Sequence, residues 1–194
     1  MEKILTLLRD CSAMLEGHFL LSSGRHSDKY FQCAKLMQYP DRAEEALSEI
    51  AKKIRHDLHE GLLEIDLVAG PAMGGIIAAY ELGRQLELPV IFTERDDTGK
   101  MALRRGFEIK AGQKILIVED VITTGKSYGE CAGALEPLGA KITALACIVD
   151  RRQADTEIPW PFYPACRVDV ANWEAESCEL CKKGIPAVKP GSRK

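Results

Sequence analysis

The chain has 194 residues, 46% hydrophobic and 28% charged, with a net charge of −3. That balance excludes a disordered chain, favours one globular domain, and gives the whole protein no general attraction for nucleic acid or membranes. No run approaches the roughly 18 apolar residues of a membrane span, so the expected location is the cytoplasm and any anion site must be local.

In chain order, the apolar residues of Met1–Glu16 recur near a 3.6-residue period and predict an amphipathic helix. A second helix is expected over Asp41–Leu58, with Asp41 as its cap and Glu44 and Glu45 in the favourable first turn. Four Val- and Ile-rich runs then read as buried strands: Ile65–Ala69, Val90–Thr93, Lys114–Val118 and Ile142–Val149. Helical patterns lie between them at Gly75–Leu86 and Ser127–Leu138. Strands that alternate with helices and are apolar throughout imply an α/β fold, a parallel sheet flanked by helices on both faces. Right-handed crossovers place every strand's carboxyl end on one edge, where ligands bind. The residues that follow Ala69, Thr93, Val118 and Val149 are therefore the ones to inspect. The polar stretch Glu94–Arg105, with Gly99 inside it, reads as a long mobile loop or ribbon. Beyond Asp150, five prolines break the periodicity, and Val188–Lys194 reads as an exposed basic end.

Chemistry concentrates where the third strand ends. Ile115–Val118 runs into Glu119 and Asp120, then Val121 and Ile122, then Thr123-Thr124-Gly125-Lys126-Ser127 at the start of a helix. Backbone N–H groups, hydroxyls and a helix N-terminus converging there make a phosphate cradle, and Gly125 lets the chain turn close to the anion. Two carboxylates beside it suit sugar hydroxyls or a Mg²⁺ shell rather than the phosphate itself. A nucleotide P-loop is excluded, because its first glycine would fall at Asp120, and no G-x-G-x-x-G follows a strand. The pattern points to a phosphorylated sugar.

The segment Val118–Ser127 resembles the phosphoribosyl-pyrophosphate signature of the type I phosphoribosyltransferases. Phe19–Ser27 with Tyr30-Phe31 resembles the base-binding segment of one branch, the orotate phosphoribosyltransferases; Gly70–Ile76 resembles its pyrophosphate loop, and Val149-Asp150-Arg151 its carboxylate-facing strand end. The resemblance implies a single domain with an N-terminal hood over about 1–40, a core over about 60–152 and a C-terminal extension over about 153–194. It implies transfer of 5-phosphoribose from phosphoribosyl pyrophosphate to orotate, with Mg²⁺ held mainly through substrate and possibly by Glu119 and Asp120. The implied donor-binding residues are Ala72, Met73, Gly74, Arg95, Lys100, Arg104, Glu119, Asp120, Val121, Ile122, Thr123, Thr124, Gly125, Lys126 and Ser127. Asp120, Lys100 and Arg105 would be catalytic, and Ser22, Gly24, Arg25, Thr123 and Arg151 would meet orotate. Arginine's planar fork suits a carboxylate in Arg25 and Arg151, whereas Arg152 is expected to face solvent. The loop 94–106 would reach the neighbouring site of a homodimer. This chain departs from many members by having Gly74 and Ser22 where they carry lysines, and Arg104-Arg105-Gly106 where they are lysine- and histidine-rich.

Seven cysteines, an odd number, argue against a fully paired disulfide framework, and Cys131 and Cys147 read as buried thiols. Cys178-x-x-Cys181 has zinc-knuckle spacing without a second such pair. Cys166 offers a third ligand, but His56 and His59 lie far off on a helix, so ordinary cysteines are expected. Two other functions fit the composition: transfer to a purine base, or a regulator that senses the sugar donor without turnover. Purines lack the carboxylate that Arg25 and Arg151 suit, and the regulator would need a nucleic-acid-binding face that the acidic chain does not present.

Overall fold

The computed structural model describes residues 2–21, 23–152 and 157–190. Its centre is a six-stranded sheet in the order β5-β4-β3-β6-β7-β8. The strands are β3 (Leu67–Pro71), β4 (Val90–Arg95), β5 (Met101–Leu103), β6 (Lys114–Ile122), β7 (Lys141–Asp150) and β8 (Phe162–Arg167). All neighbours are parallel except the β4–β5 hairpin at one edge. The four expected strands are present. β8 was hidden by Pro164, which an edge strand tolerates because no neighbour needs its missing N–H.

The sheet is covered on both faces, as its apolar strands require. Leu116, Val118, Ala144 and Ala146 pack beneath α3 (Pro40–His59) and α4 (Gly74–Leu86). Ile115, Ile117, Leu145 and Cys147 pack beneath α5 (Lys126–Leu135). Ile115 to Val118 are fully buried, each worth about 1.5–3 kcal/mol against exposure. That anchors the stem from which the acid pair projects.

Helix α3 begins at Pro40 with Tyr39 in the capping position and no side-chain cap. Asp41 is therefore inside the first turn rather than the cap, because proline's fixed φ suits the first helical residue. The expected N-terminal helix is also shorter: α1 covers Glu2–Asp10, and Met14–Leu20 forms strand β1. Ser12 at φ 52 makes the break. β1 pairs with β2 (His26–Phe31), which in turn pairs with β9 (Asn172–Trp173), all antiparallel. This small sheet occupies the region for which a hood is expected. Phe31 and Leu36, the latter in the short α2 (Ala34–Met37), join it to the α3–α4 side of the core.

The C-terminal extension is more ordered than its prolines suggest. After β9 a helical turn at Ala175–Ser177 leads into α6 (Glu179–Lys182). Val188 then lies beside β1, donating its N–H to the His18 carbonyl at 2.8 Å and accepting from the Leu20 N–H at 2.9 Å. Val188 thus begins the expected free end as a backbone-paired residue, although its side chain is exposed. Residues 191–194 of that end lie outside the described residues.

Candidate active site at the carboxyl edge of the sheet

Strand β6 continues through the acid pair to Ile122, so Glu119 and Asp120 project on opposite faces of the sheet. Glu119 goes toward α5 and lines a pocket of about 40 Å³ with Val121 to Tyr128. The Ser127 side chain, close by, favours its charged form. Burial, and then the neighbouring Asp120 charge, push its carboxyl up to about 8. Asp120 goes toward α4, and burial raises its carboxyl too, against a hydrogen bond from the Val121 N–H at 2.8 Å. The pair therefore does not share one surface. Glu119 belongs to the loop pocket, and Asp120 stands between that loop and the next.

The loop Thr123–Ser127 is surface-accessible, with Thr123, Thr124, Lys126 and Ser127 exposed. Gly125, the residue before α5, has φ 80, and a Cβ there would lie 2.6 Å from the Tyr128 hydroxyl. Both the left-handed backbone and the close ring demand glycine. No side chain caps α5, so its first N–H groups and the positive end of its dipole face the pocket.

Across Asp120 lies the loop from Gly70 to Gly75, at the start of α4. A Cβ on Gly70 would meet the Gly75 carbonyl at 2.3 Å, and one on Gly74 would meet the Asp120 carboxylate at 2.4 Å. Glycine at 74 is what lets the carboxylate sit against the helix start. The Ala72–Met73 peptide is cis. The Ala72 N–H is already engaged by the Thr93 carbonyl at 2.7 Å, so that donor of the loop is occupied. Helix α4, like α5, has no side-chain cap. Two uncapped helix N-termini thus flank one carboxylate, an arrangement suited to a ligand with two separated phosphate groups and a sugar between them.

Arg151 leaves the end of β7, its N–H bonded to the Ile122 carbonyl at 2.8 Å. Its guanidinium carbon lies 5.1 Å from the centre of the Phe31 ring, and its Nε is buried without a hydrogen-bond partner among the described residues. A buried donor in that state calls for an acceptor. Arg152 does not face solvent as expected: its side chain is 11% exposed, bound by Nε to Asp150 at 2.9 Å and stacked over Phe162. Asp150 is buried at the strand end, and this pairing satisfies it.

Arg25 is engaged by residues from the far end of the chain. Its Nε donates to the Asn172 side chain at 2.6 Å, and its guanidinium also pairs with Glu174. It is held by the C-terminal extension. Gly24, at φ 82, closes the β1–β2 turn beside it, and Ser22 lies outside the described residues.

The charged segment 94–106 is an antiparallel ribbon with its turn at Gly99. Asp96 organises the tip by accepting from Thr98 and Lys100 N–H groups at 2.8 and 3.0 Å. Arg95 binds Glu130 at 2.5 Å, and Arg105 grips both oxygens of Glu94 at 2.7 and 2.9 Å. Arg104 stands 3.8 Å from Glu94. None of Arg95, Lys100, Arg104 and Arg105 lines the Glu119 pocket of the same chain. Sequence reasoning missed Glu94 and Glu130 as the residues that hold these arginines, since acids in a charged run carry no distinguishing signal.

Comparison with known proteins agrees with this geometry. A family model described as "Phosphoribosyl transferase domain" matches residues 38–177. An orotate phosphoribosyltransferase of Caldicellulosiruptor bescii is 47% identical over 188 residues, covering 97% of this chain and 95% of its own. Among solved structures, orotate phosphoribosyltransferase from Aeropyrum pernix superposes with a TM-score of 0.69 at 23% identity, covering 85% of this chain and 93% of its own. That of Mycobacterium tuberculosis gives 0.65 at 24% identity, covering 86% and 95%. With a strand-end acid pair set between two uncapped helices, and with relatedness spanning nearly the whole chain, this protein belongs to the orotate phosphoribosyltransferase family.

Proposed function

We propose that the protein transfers 5-phosphoribose from phosphoribosyl pyrophosphate to orotate, releasing pyrophosphate and forming orotidine 5'-monophosphate. The observation that carries this reading is the Asp120 carboxylate seated between the starts of α4 and α5. The 5'-phosphate rests on Val121–Ser127, and the pyrophosphate lies toward Ala72, Met73 and Gly74. The ribose lies across the sheet edge, so Glu119 and Asp120 hold its hydroxyls from the two sides, and Asp120 stabilises the positive charge that develops on the ribose as the bond to pyrophosphate stretches. Arg151, with its free buried Nε, takes the orotate carboxylate, with Thr123 beside it. Gly24 and Arg25 shape the base side from the β1–β2 turn, and Ser22 is assigned the same role.

The two acids fit Mg²⁺, because an oxygen-only donor set suits a hard cation and burial leaves both carboxyls short of compensating charge. Glu119 and Asp120 would complete a shell made largely by the donor's own oxygens, and the ion would neutralise charge on the leaving group.

The ribbon 94–106 supplies Arg95, Lys100, Arg104 and Arg105, with Lys100 and Arg105 acting on the leaving pyrophosphate of a neighbouring subunit. Solvent-screened pairs such as Arg95–Glu130 and Arg105–Glu94 are weak, so a ligand's phosphates can take these arginines over. Ile77 and Tyr80 of α4, with Met73 just before it, are exposed on one side, and this apolar stripe supports a homodimer. Among the described residues no helix is long and apolar enough to cross a membrane, which accords with action in the cytoplasm by one phosphoribosyltransferase domain.

The test is direct. Purified protein with donor, Mg²⁺ and orotate should release pyrophosphate and nucleotide together, with no product from adenine, hypoxanthine or xanthine. Conversion of a purine alone would overturn the choice of base, and tight donor binding without turnover of any base would favour a regulator.

A further inference from the structure

Away from the active site, four side chains from both ends of the chain meet. His18 of β1, His26 at the start of β2, and Cys178 and Cys181 around the start of α6 place one ligand atom each within 4.8 Å of one another. Cys178 Sγ lies 3.4 Å from His18 Nε2, and Cys181 Sγ lies 3.8 Å from the same atom and 3.3 Å from His26 Nδ1. A tetrahedral Zn²⁺ with ordinary Zn–N and Zn–S bonds needs N···S separations of about 3.6 Å and an N···N separation of about 3.3 Å. The three N···S distances bracket that value. The two ring nitrogens, 2.7 Å apart, need only side-chain rotation of about 0.6 Å to fit. The other nitrogen of His18, Nδ1, lies 2.7 Å from the Ile185 carbonyl. Donation there fixes the tautomer, so that the Nε2 lone pair points at the two sulfurs, as metal-bound histidines are commonly oriented.

We propose that His18, His26, Cys178 and Cys181 form a structural zinc site that fastens the C-terminal extension to the hood. The sequence reading found no fourth ligand near the cysteine pair, and Cys166, its candidate third ligand, instead contacts the Ile148 carbonyl inside the sheet. The missing ligands lie about 160 residues earlier, where no spacing rule would look. A staple is also what this segment lacks. Cys178 is completely buried, whereas Glu179 and all residues from Cys181 to Lys189 are exposed. So little apolar burial cannot hold the segment down, and a closed metal site supplies that energy directly. His26 directly follows Arg25, which is anchored on Asn172 and Glu174 of the same extension. The metal therefore fixes the turn that carries Arg25 without touching the reacting atoms.

The test begins with metal content, which is independent of catalysis. Untagged protein purified with reduced thiols and without chelators should carry one zinc per chain by elemental mass spectrometry. A mercurial that titrates thiols should release it. Replacement by Co²⁺ should give the intense visible bands and thiolate charge-transfer absorption of a tetrahedral two-sulfur, two-nitrogen site. Cys178→Ser and His26→Ala should each lose the metal, while Cys11→Ser keeps it. Should the ligand variants fail to fold, the wild-type stoichiometry and cobalt spectrum decide by themselves. Chelation should lower the melting temperature and expose residues 175–190 to protease before the sheet unfolds. Folded, reduced wild-type protein that holds no zinc and yields no tetrahedral cobalt spectrum would overturn the site, as would a Cys178–Cys181 disulfide in protein kept under reducing conditions.

Discussion

Glu119 offers a test in which stability and function are expected to move in opposite directions. Its carboxyl is pushed up to about 8 from an ordinary 4.5, first by burial and then by Asp120. The folded state thus holds the proton more tightly than the unfolded chain. Stability should accordingly fall as pH rises from about 4.5 to about 8, and level off above. Each pKa unit corresponds to about 1.4 kcal/mol, so the unfolded chain's readier ionisation costs the free protein roughly 3 kcal/mol of stability at pH 7, shrinking below about 1 kcal/mol at pH 5. Glu119→Gln removes the ionisable group and keeps the shape of the side chain. The variant should be more stable than the parent at pH 7 by that amount, equivalent to about 5–10 °C in melting temperature, with little difference at pH 5. Urea denaturation of ligand-free protein, followed by tryptophan fluorescence at both pH values, measures this. Equal stability at both, or a variant weaker at pH 7, would refute the burial argument. The same variant should lose turnover, because the carboxylate that burial disfavours in the free protein is what meets Mg²⁺ and the ribose.

Asp120→Asn should keep the fold, checked by circular dichroism, and reduce turnover by on the order of 100-fold or more, since its charge stands beside the reacting sugar. Arg151→Lys should raise KM for orotate by roughly 10- to 100-fold with a smaller effect on KM for the donor, because an ammonium cannot reproduce the guanidinium fork; equal changes in both would remove Arg151 from the base site. Gly125→Ala should destabilise the protein by about 1–3 kcal/mol and weaken donor binding in calorimetry, given its φ of 80 and the Tyr128 ring against it. Lys100→Ala and Arg105→Ala should slow single-turnover transfer more than they weaken donor binding, if the ribbon acts mainly in the transition state. Unchanged kinetics in both variants would leave the ribbon a surface hairpin.

What could be read from residue order was whatever neighbouring residues specify together. The Val- and Ile-rich runs became β3, β4, β6 and β7 because strands buried on both faces must be apolar throughout. Glu119–Ser127 was legible because a strand end, a turn and a helix start lie within nine consecutive residues, and the φ at Gly125 is a local demand. Boundaries moved where local rules compete: Pro40 took the first helical position from Asp41's expected cap, and Ser12 ended α1 early enough for β1 to form.

Other features depend on which distant segments the topology sets side by side. Alternation along β6 sends Glu119 to α5 and Asp120 to α4, and becomes informative only once strand length and sheet coverage are known. Arg152 turned inward because Asp150 is buried beside it, and Arg25 was claimed by Asn172 and Glu174 from the far end of the chain. His18 and His26 carry no sign in their own surroundings that Cys178 and Cys181 will arrive next to them. Chemistry built on one turn of chain is written in adjacent letters. Chemistry built by closing 160 residues of chain exists only once the packing of the whole fold has repaid the entropy of bringing its ends together.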